Sequence, residues 1–153
     1  MALKLSRRAK ELLLGSKYFT NLMATPYIKI FSGTAPLYPE MAVDSGQVLA
    51  TIPVAWDATP VVVAGSYDVY LVNTTPVWTD TSADATGYAS FFRIYDSAVG
   101  TGITDDTPLG SAFTLCRIQG TVGDSPGFDL VVADAYYVIA TSKTINSFKL
   151  RIF

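Results

Sequence analysis

The sequence predicts an all-β fold: a β-sandwich, jelly-roll-like, of about seven to nine strands with a short N-terminal helix. Three observations predict it. Apolar and polar residues alternate with period 2 in at least four segments, which is the signature of half-buried strands. Clusters of Gly, Pro, Asn and Asp punctuate nearly every gap between those segments. A 3.6-residue apolar period occurs once, near the start of the chain.

That stretch is Ser6 to Gly15. Ser6 is placed to cap a helix and Gly15 to stop it. Leu5, Ala9, Leu12 and Leu13 fall at i, i+4, i+7 and i+8 and form one apolar stripe. Two to three turns are too short to persist alone in water, so the stripe must dock on something.

The strands follow in quick succession. "YIKIFS" sets Ile28 and Ile30 against Tyr27, Lys29 and Phe31, and Ser32 and Gly33 end the pattern. After the loop "GTAPLYPEMAVDSG" comes "QVLATIPV". "VVVAGSYDVYLV" reads as a hairpin or one bent strand. "ASFFRIYD" sets Phe92 and Ile94 opposite Arg93 and Tyr95. "AFTLCRIQGTV" and "FDLVVADAYYVIA" are next, and "SFKLRIF" closes the chain with Phe148, Leu150 and Ile152 on one side. "TDTSADATG" (Thr79–Gly87) is the most polar stretch and reads as an exposed loop.

The length of 153 residues fits one domain. A chain near this size buries roughly 70% of its unfolded surface, enough for a core without metals or disulfides. Half the residues are hydrophobic and only 16% are charged, too apolar for disorder and sparse in charge for a solitary molecule. The charges are also unevenly spread. Residues 1–29 carry six basic groups and one acidic; residues 30–142 carry two basic and twelve acidic; the last eleven carry three basic and none acidic. Such an arrangement suits oriented contacts with a partner surface. The division it suggests is a basic amphipathic docking arm over residues 1–25 and a sandwich over 26–153.

Chemistry is poorly provided for. The chain has no His, so the commonest general base and metal ligand are missing. The single Cys, Cys116, lies in an apolar strand and reads as a small buried hydrophobe; it can form no internal disulfide. Asp105 and Asp106 are adjacent, but no calcium-loop spacing surrounds them, and a turn is the better reading. "GTGITDD" lacks the Lys of a phosphate loop, and no Ser sits in a nucleophile elbow. The expectation is no enzyme, no metal and no cofactor. Trp56, Trp78 and nine tyrosines suggest either core and interface packing or a platform for sugars. No stretch approaches the ~20 apolar residues that span a bilayer. The run Leu12–Leu14 is too short for a secretory signal, so a cytoplasmic origin is expected.

The basic start offers the candidate functional residues: Lys4, Leu5, Arg7, Arg8, Lys10, Leu12 and Leu13. Docking on an acidic protein surface ranks first, a solvated helix face second and nucleic acid third, because no aromatics interleave the basic residues.

Several phrases resemble a family of small structural virion proteins of tailed bacteriophages. "MALKLSRRAKELLLG" is similar to its short N-terminal helix, and "IKIFSGTAP" followed by "GQVLATI" resembles its strand, loop and next strand. "ASFFRIYD" resembles a "W-F-R-x-x-D" strand, with Phe91 where Trp often stands. "RIQGTVGDSPGFDLVV" and "TINSFKLRIF" resemble the later phrases, in the same order. The loops around "LYPE" and "NTTPVWTD" are extra. The resemblance implies a head cement or decoration protein that binds the major capsid protein as a homo-oligomer, dimer or trimer, on the capsid surface, assembled in the bacterial host cytoplasm. A tail or head–tail connector component, and a glycan-binding adhesion module, are the alternatives.

Overall fold

The structure, a computed structural model, describes residues 3–15, 23, 26–43, 46–54, 78–96, 116–125 and 127–145, and the backbone of 61–62 and 69–70. Among the described residues it is all-β with one short helix, and the sandwich-like expectation is met in outline. A main sheet is built from β1 (Lys4–Leu5), β2 (Pro26–Phe31), β3 (Val48–Pro53), β8 (Phe91–Asp96) and β9 (Arg117–Gly123) in the order β1-β9-β8-β2-β3, all antiparallel. Three two-stranded ribbons accompany it. They are β4 (Val61–Val62) with β5 (Val69–Tyr70), β6 (Trp78–Asp80) with β12 (Lys143–Ile145), and β7 (Gly87–Tyr88) with β11 (Tyr136–Tyr137). The antiparallel pairing of β4 with β5 makes "VVVAGSYDVYLV" a hairpin rather than a bent strand. The connections that would define a jelly roll run partly through residues outside the described ones, among them 97–115 between β8 and β9. The expected closing strand "SFKLRIF", Asp105, Asp106 and Trp56 also lie outside them.

Register explains the core. Ile52, Ile28, Ile94, Ile118 and Leu5 stand side by side across five strands, and Ala50, Ile30, Phe92 and Gly120 form the next row. The four isoleucines are wholly buried. Each such side chain contributes about 1.5–3 kcal/mol on leaving water. Trp78, Tyr137 and Ile145 from the ribbons are buried in the same cluster, so one core lies between the main sheet and β6, β7, β11 and β12. Gly33, at φ 84°, supplies the left-handed residue that turns the chain out of β2.

The stretch Thr79–Gly87 corrects the sequence reading. It is not simply an exposed loop: its ends lie in β6 and β7, and Ala83 and Ala85 are buried in the core. Asp84 and Thr86 point outward between them. Alanine is a weak apolar signal, so the composition read as polar although the alternation was there.

"FDLVVADAYYVIA" is also not one strand. It breaks into β10 (Leu130–Val131) and β11. β10 runs parallel to β9 after only a six-residue link, far shorter than the dozen or more residues of an ordinary parallel crossover. The pairing is local and held by a clasp: the buried Asp129 carboxylate accepts from the Thr121 amide at 2.8 Å and its hydroxyl at 2.9 Å.

Helix α1 (Arg7–Leu14) has the expected cap. Ser6 Oγ accepts from the Ala9 amide at 3.2 Å, and the Gly15 N–H returns to Glu11 O. Its stripe faces the chain's own core. Ala9 is fully buried, and Leu5, Leu12 and Leu13 pack on the main cluster. Ser6 Oγ also accepts from the Arg117 amide at 2.9 Å. The docking arm expected over residues 1–25 is therefore not separate from the β core in its described part: β1 is an edge strand of the main sheet, and α1 seals one margin of it. The physical reason is the one that predicted a docking event. A stripe too short to stand alone takes the nearest apolar surface, and pairing of Lys4 and Leu5 with β9 places that surface beside it.

Candidate functional site

The second face of the main sheet is unusual. Thr51, Lys29, Arg93, Gln119 and Lys4 form a polar row across all five strands. It is flanked by stacked aromatic pairs, Tyr27 with Tyr95 (5.4 Å between ring centres) and Phe31 with Phe91 (4.8 Å). Arg117 lies over the Tyr95 ring at 5.4 Å. Both Arg93 and Arg117 are fully buried, although alternation alone would leave this side of the strands open to solvent.

The segment 36–41 covers them. Arg93 donates from Nε to Gln119 Oε1 (2.8 Å), from one terminal nitrogen to Met41 O (2.7 Å) and from the other to Tyr38 O (3.3 Å). Gln119 Nε2 donates to Pro36 O at 2.7 Å, Arg117 to Pro39 O at 3.3 Å, and Lys4 Nζ to Leu37 O at 2.9 Å. The segment thus turns its carbonyls inward to a row of donors. Three of its apolar side chains turn outward: Leu37 is 61% exposed, Tyr38 58% and Met41 43%, while Pro39 is buried. Hydrogen bonds from charged donors contribute about 1.5–3 kcal/mol each, so the strap is firmly held while it presents three greasy side chains to water.

The residues expected to form a basic docking surface are only partly free to do so. Lys4 is committed to Leu37 O. Leu5, Leu12 and Leu13 are turned toward the core. Arg7 pairs with Glu11 at 2.9 Å, Arg8 lies 3.7 Å from the same carboxylate, and Glu40 accepts from the Arg7 amide. Lys10 is exposed. These are exposed pairs, contributing about 0–1 kcal/mol each. What remains is a modestly basic flank on α1, joined through Glu40 to the strap. Beside that flank the exposed apolar side chains are Leu37, Tyr38 and Met41 of the strap and Leu14 at the end of α1, not the expected Leu5, Leu12 and Leu13.

A second surface lies at the ribbon β7–β11 and the adjoining ends of β8 and β9. Tyr88 and Tyr136 are cross-strand partners with ring centres 4.8 Å apart, tilted at 50°. With Phe128, Ala89 and the backbone near Gly123 they line an open groove of about 390 Å³ that also carries Asp124 and Asp134. Tyr88 is 71% exposed. The amide of Tyr136, first, and the Lys143 ammonium hold the Asp134 carboxyl below its usual range. It therefore stays negative at the rim of the groove. Val138 and Ile139 extend the apolar surface, on a turn closed by Thr141 N–H to Val138 O.

Neither surface was picked out in the sequence reading. "LYPE" stood out only as an extra Pro loop. Tyr88 and Tyr136 lie 48 positions apart, and only the register of β7 with β11 joins them. Cys116 is where the sequence put it: buried, with desolvation chiefly pushing its thiol up to about 12. Among the described residues no three metal-ligating side chains gather, and no helix is long and apolar enough to cross a membrane. The chain matches no family model, no curated protein and no solved structure.

Proposed function

We propose that this chain is a structural virion protein of a tailed bacteriophage, a capsid cement or decoration protein. In this reading it binds the major capsid protein and stabilises the shell, as a homo-oligomer on a jelly-roll-like scaffold. The class comes from the phrases that resemble that family. The observation that carries the reading is the strap: three exposed apolar side chains, Leu37, Tyr38 and Met41, held on a backbone already anchored to buried arginines. A pre-ordered apolar epitope loses little entropy on binding, and many modest contacts repeated over a lattice add up to a stable shell.

Quantifying the protein in purified particles tests this. Copies on the order of hundreds per particle, as lattice symmetry demands of a shell component, support cement; about a dozen or fewer move it to the tail or connector; absence from the particle ends the virion reading. A second reading has its own observation. The Tyr88–Tyr136 groove with Asp124 and Asp134 has the aromatic faces and carboxylate acceptors that sugars use. A glycan array separates it from the first.

A further inference from the structure

The strap and the groove are complementary to each other. The strap is exposed, apolar and joined through Glu40 to the basic start of α1; the groove is concave, aromatic and rimmed by Asp124 and Asp134. The strap is pinned over the middle of the main sheet by Arg93, Gln119 and Lys4, whereas the groove gathers at the far end of β9 and the start of β8, beside Gly123 and Ser90, with its two tyrosines on the ribbon β7–β11. Arg93, which grips the strap, alternates along β8 with Phe92 and Ile94, which face the core shared with Tyr137 of β11. One molecule therefore cannot fill its own groove with its own strap. We propose that the occupant is a second copy of this chain: the strap of one molecule seats in the Tyr88–Tyr136 groove of the next, head to tail.

The dimensions agree. An apolar cavity of about 150 Å³ holds a benzene ring, so a groove of about 390 Å³ takes the Tyr38 ring together with Leu37 or Met41. Tyr38 would meet the tilted Tyr88–Tyr136 pair in the edge-to-face manner that aromatic clusters favour. The charges set the direction. Arg7, Arg8 and Lys10 outnumber Glu11 and Glu40 beside the strap, while Asp124 and Asp134 outnumber Lys143 beside the groove. Strap against strap, or groove against groove, would bring like charges together. Because the two patches differ, the contact is heterologous, and it builds rings or open rows rather than a closed pair. The inference stands on these two surfaces and not on the virion reading, so either can fail alone; a strap seated in a neighbouring copy is closed to the capsid protein, and only the strap at the end of a row stays open to it.

Sedimentation velocity of the full chain over a concentration series tests it. The protein is expected to associate beyond the dimer, more weakly at high salt. A strap variant (Leu37→Asp with Tyr38→Ser) and a groove variant (Tyr88→Ser with Asp124→Lys) change exposed side chains. Each is expected to melt as the parent does and to lose self-association by about tenfold or more, as interface anchors do. Mixed one to one, they are expected to form a heterodimer and stop there, since each keeps one intact patch. A second measurement does not depend on those variants folding. Tyr38→Cys and Tyr88→Cys chains, oxidised together, should cross-link with each other and not with themselves, the native Cys116 being buried. A parent protein that stays monomeric at millimolar concentration overturns the proposal. So does a mixture that associates no better than its components, cross-linking of one cysteine chain with itself alone, or a monomer whose groove tyrosines respond to soluble oligosaccharides.

Discussion

Gly120 sits directly across from Phe92, and a methyl group added to it would come within 2.7 Å of that ring and 3.0 Å of Asp129 Cβ. Phe92 is fully buried and has nowhere to move. Gly120→Ala is therefore expected to cost about 1–3 kcal/mol, the usual penalty for overpacking a core. Gly127 is the control at the same chemistry: nothing lies within 4 Å of its added Cβ. Gly127→Ala should stay within about 0.5 kcal/mol of the parent. Urea melts of the two variants check both, and equal effects would contradict the packing described around Phe92. At this scale the sequence was informative about type and silent about neighbours. "RIQGTV" shows a glycine in a strand; only the register shows that it makes room for a ring.

Among the elements, α1 and β1 gain the most by comparison with their sequence. The cap residues, the stripe and the helix ends were all legible, because capping and periodicity are local. The destination of the stripe was not, since β1 is two residues long and carries no pattern. Read from sequence, deletion of residues 1–15 leaves the domain folded with nearly unchanged melting. The structure reverses that expectation. The deletion removes an edge strand, the buried Ala9, the packing of Leu5, Leu12 and Leu13, and the Ser6 acceptor of the Arg117 amide. A loss on the order of 5 kcal/mol is expected, comparable with the whole stability of many domains, so the truncated chain should melt far earlier or aggregate. Unchanged melting would show that the segment is a free arm after all. The strap gives a second test. A lysine at position 93 cannot reach Gln119, Tyr38 O and Met41 O together. Arg93→Lys is expected to cost about 1–3 kcal/mol for the acceptors left buried. It should also speed proteolysis between Leu37 and Met41, which a purely core effect would not do selectively. The opposite edge of the sheet is blocked. The Thr51 amide donates to Asp80 at 3.0 Å and the Asp84 amide to Leu49 O at 2.9 Å, so β3 offers little purchase to an incoming strand.

For the molecule as a whole, all-β character could be read from alternation, and the core rows fell where the apolar positions of "YIKIFS", "QVLATIPV" and "ASFFRIYD" put them. The candidate surfaces could not be read, because buried arginines look like solvent-facing residues until a loop is found over them. Global stability should also carry an alkaline signature. Burial, the largest cause in each case, raises the Cys116 thiol from 9.0 and the Tyr137 phenol from 10.0, each to about 12. Both are raised in the folded state, so the unfolded chain gives up these protons first. Their contribution is complete below about pH 9 and is lost as pH rises toward about 12. Thermal melting is expected to fall across that window, and Cys116→Ala should flatten its lower part; a flat profile would mean that both groups reach water.

Apart from the Glu40 carboxylate on the Arg7 amide and the buried Pro39, the strap is gripped by its main chain: Arg93, Arg117, Gln119 and Lys4 hold the carbonyl oxygens of residues 36–39 and 41. Leu37, Tyr38 and Met41 can therefore be exchanged without disturbing what holds them in place. Such a site can drift quickly in sequence while its shape stays fixed. A lineage can retune the partner it meets by changing three outward letters, and randomising those three positions gives a library whose members all fold alike and differ only in what they touch.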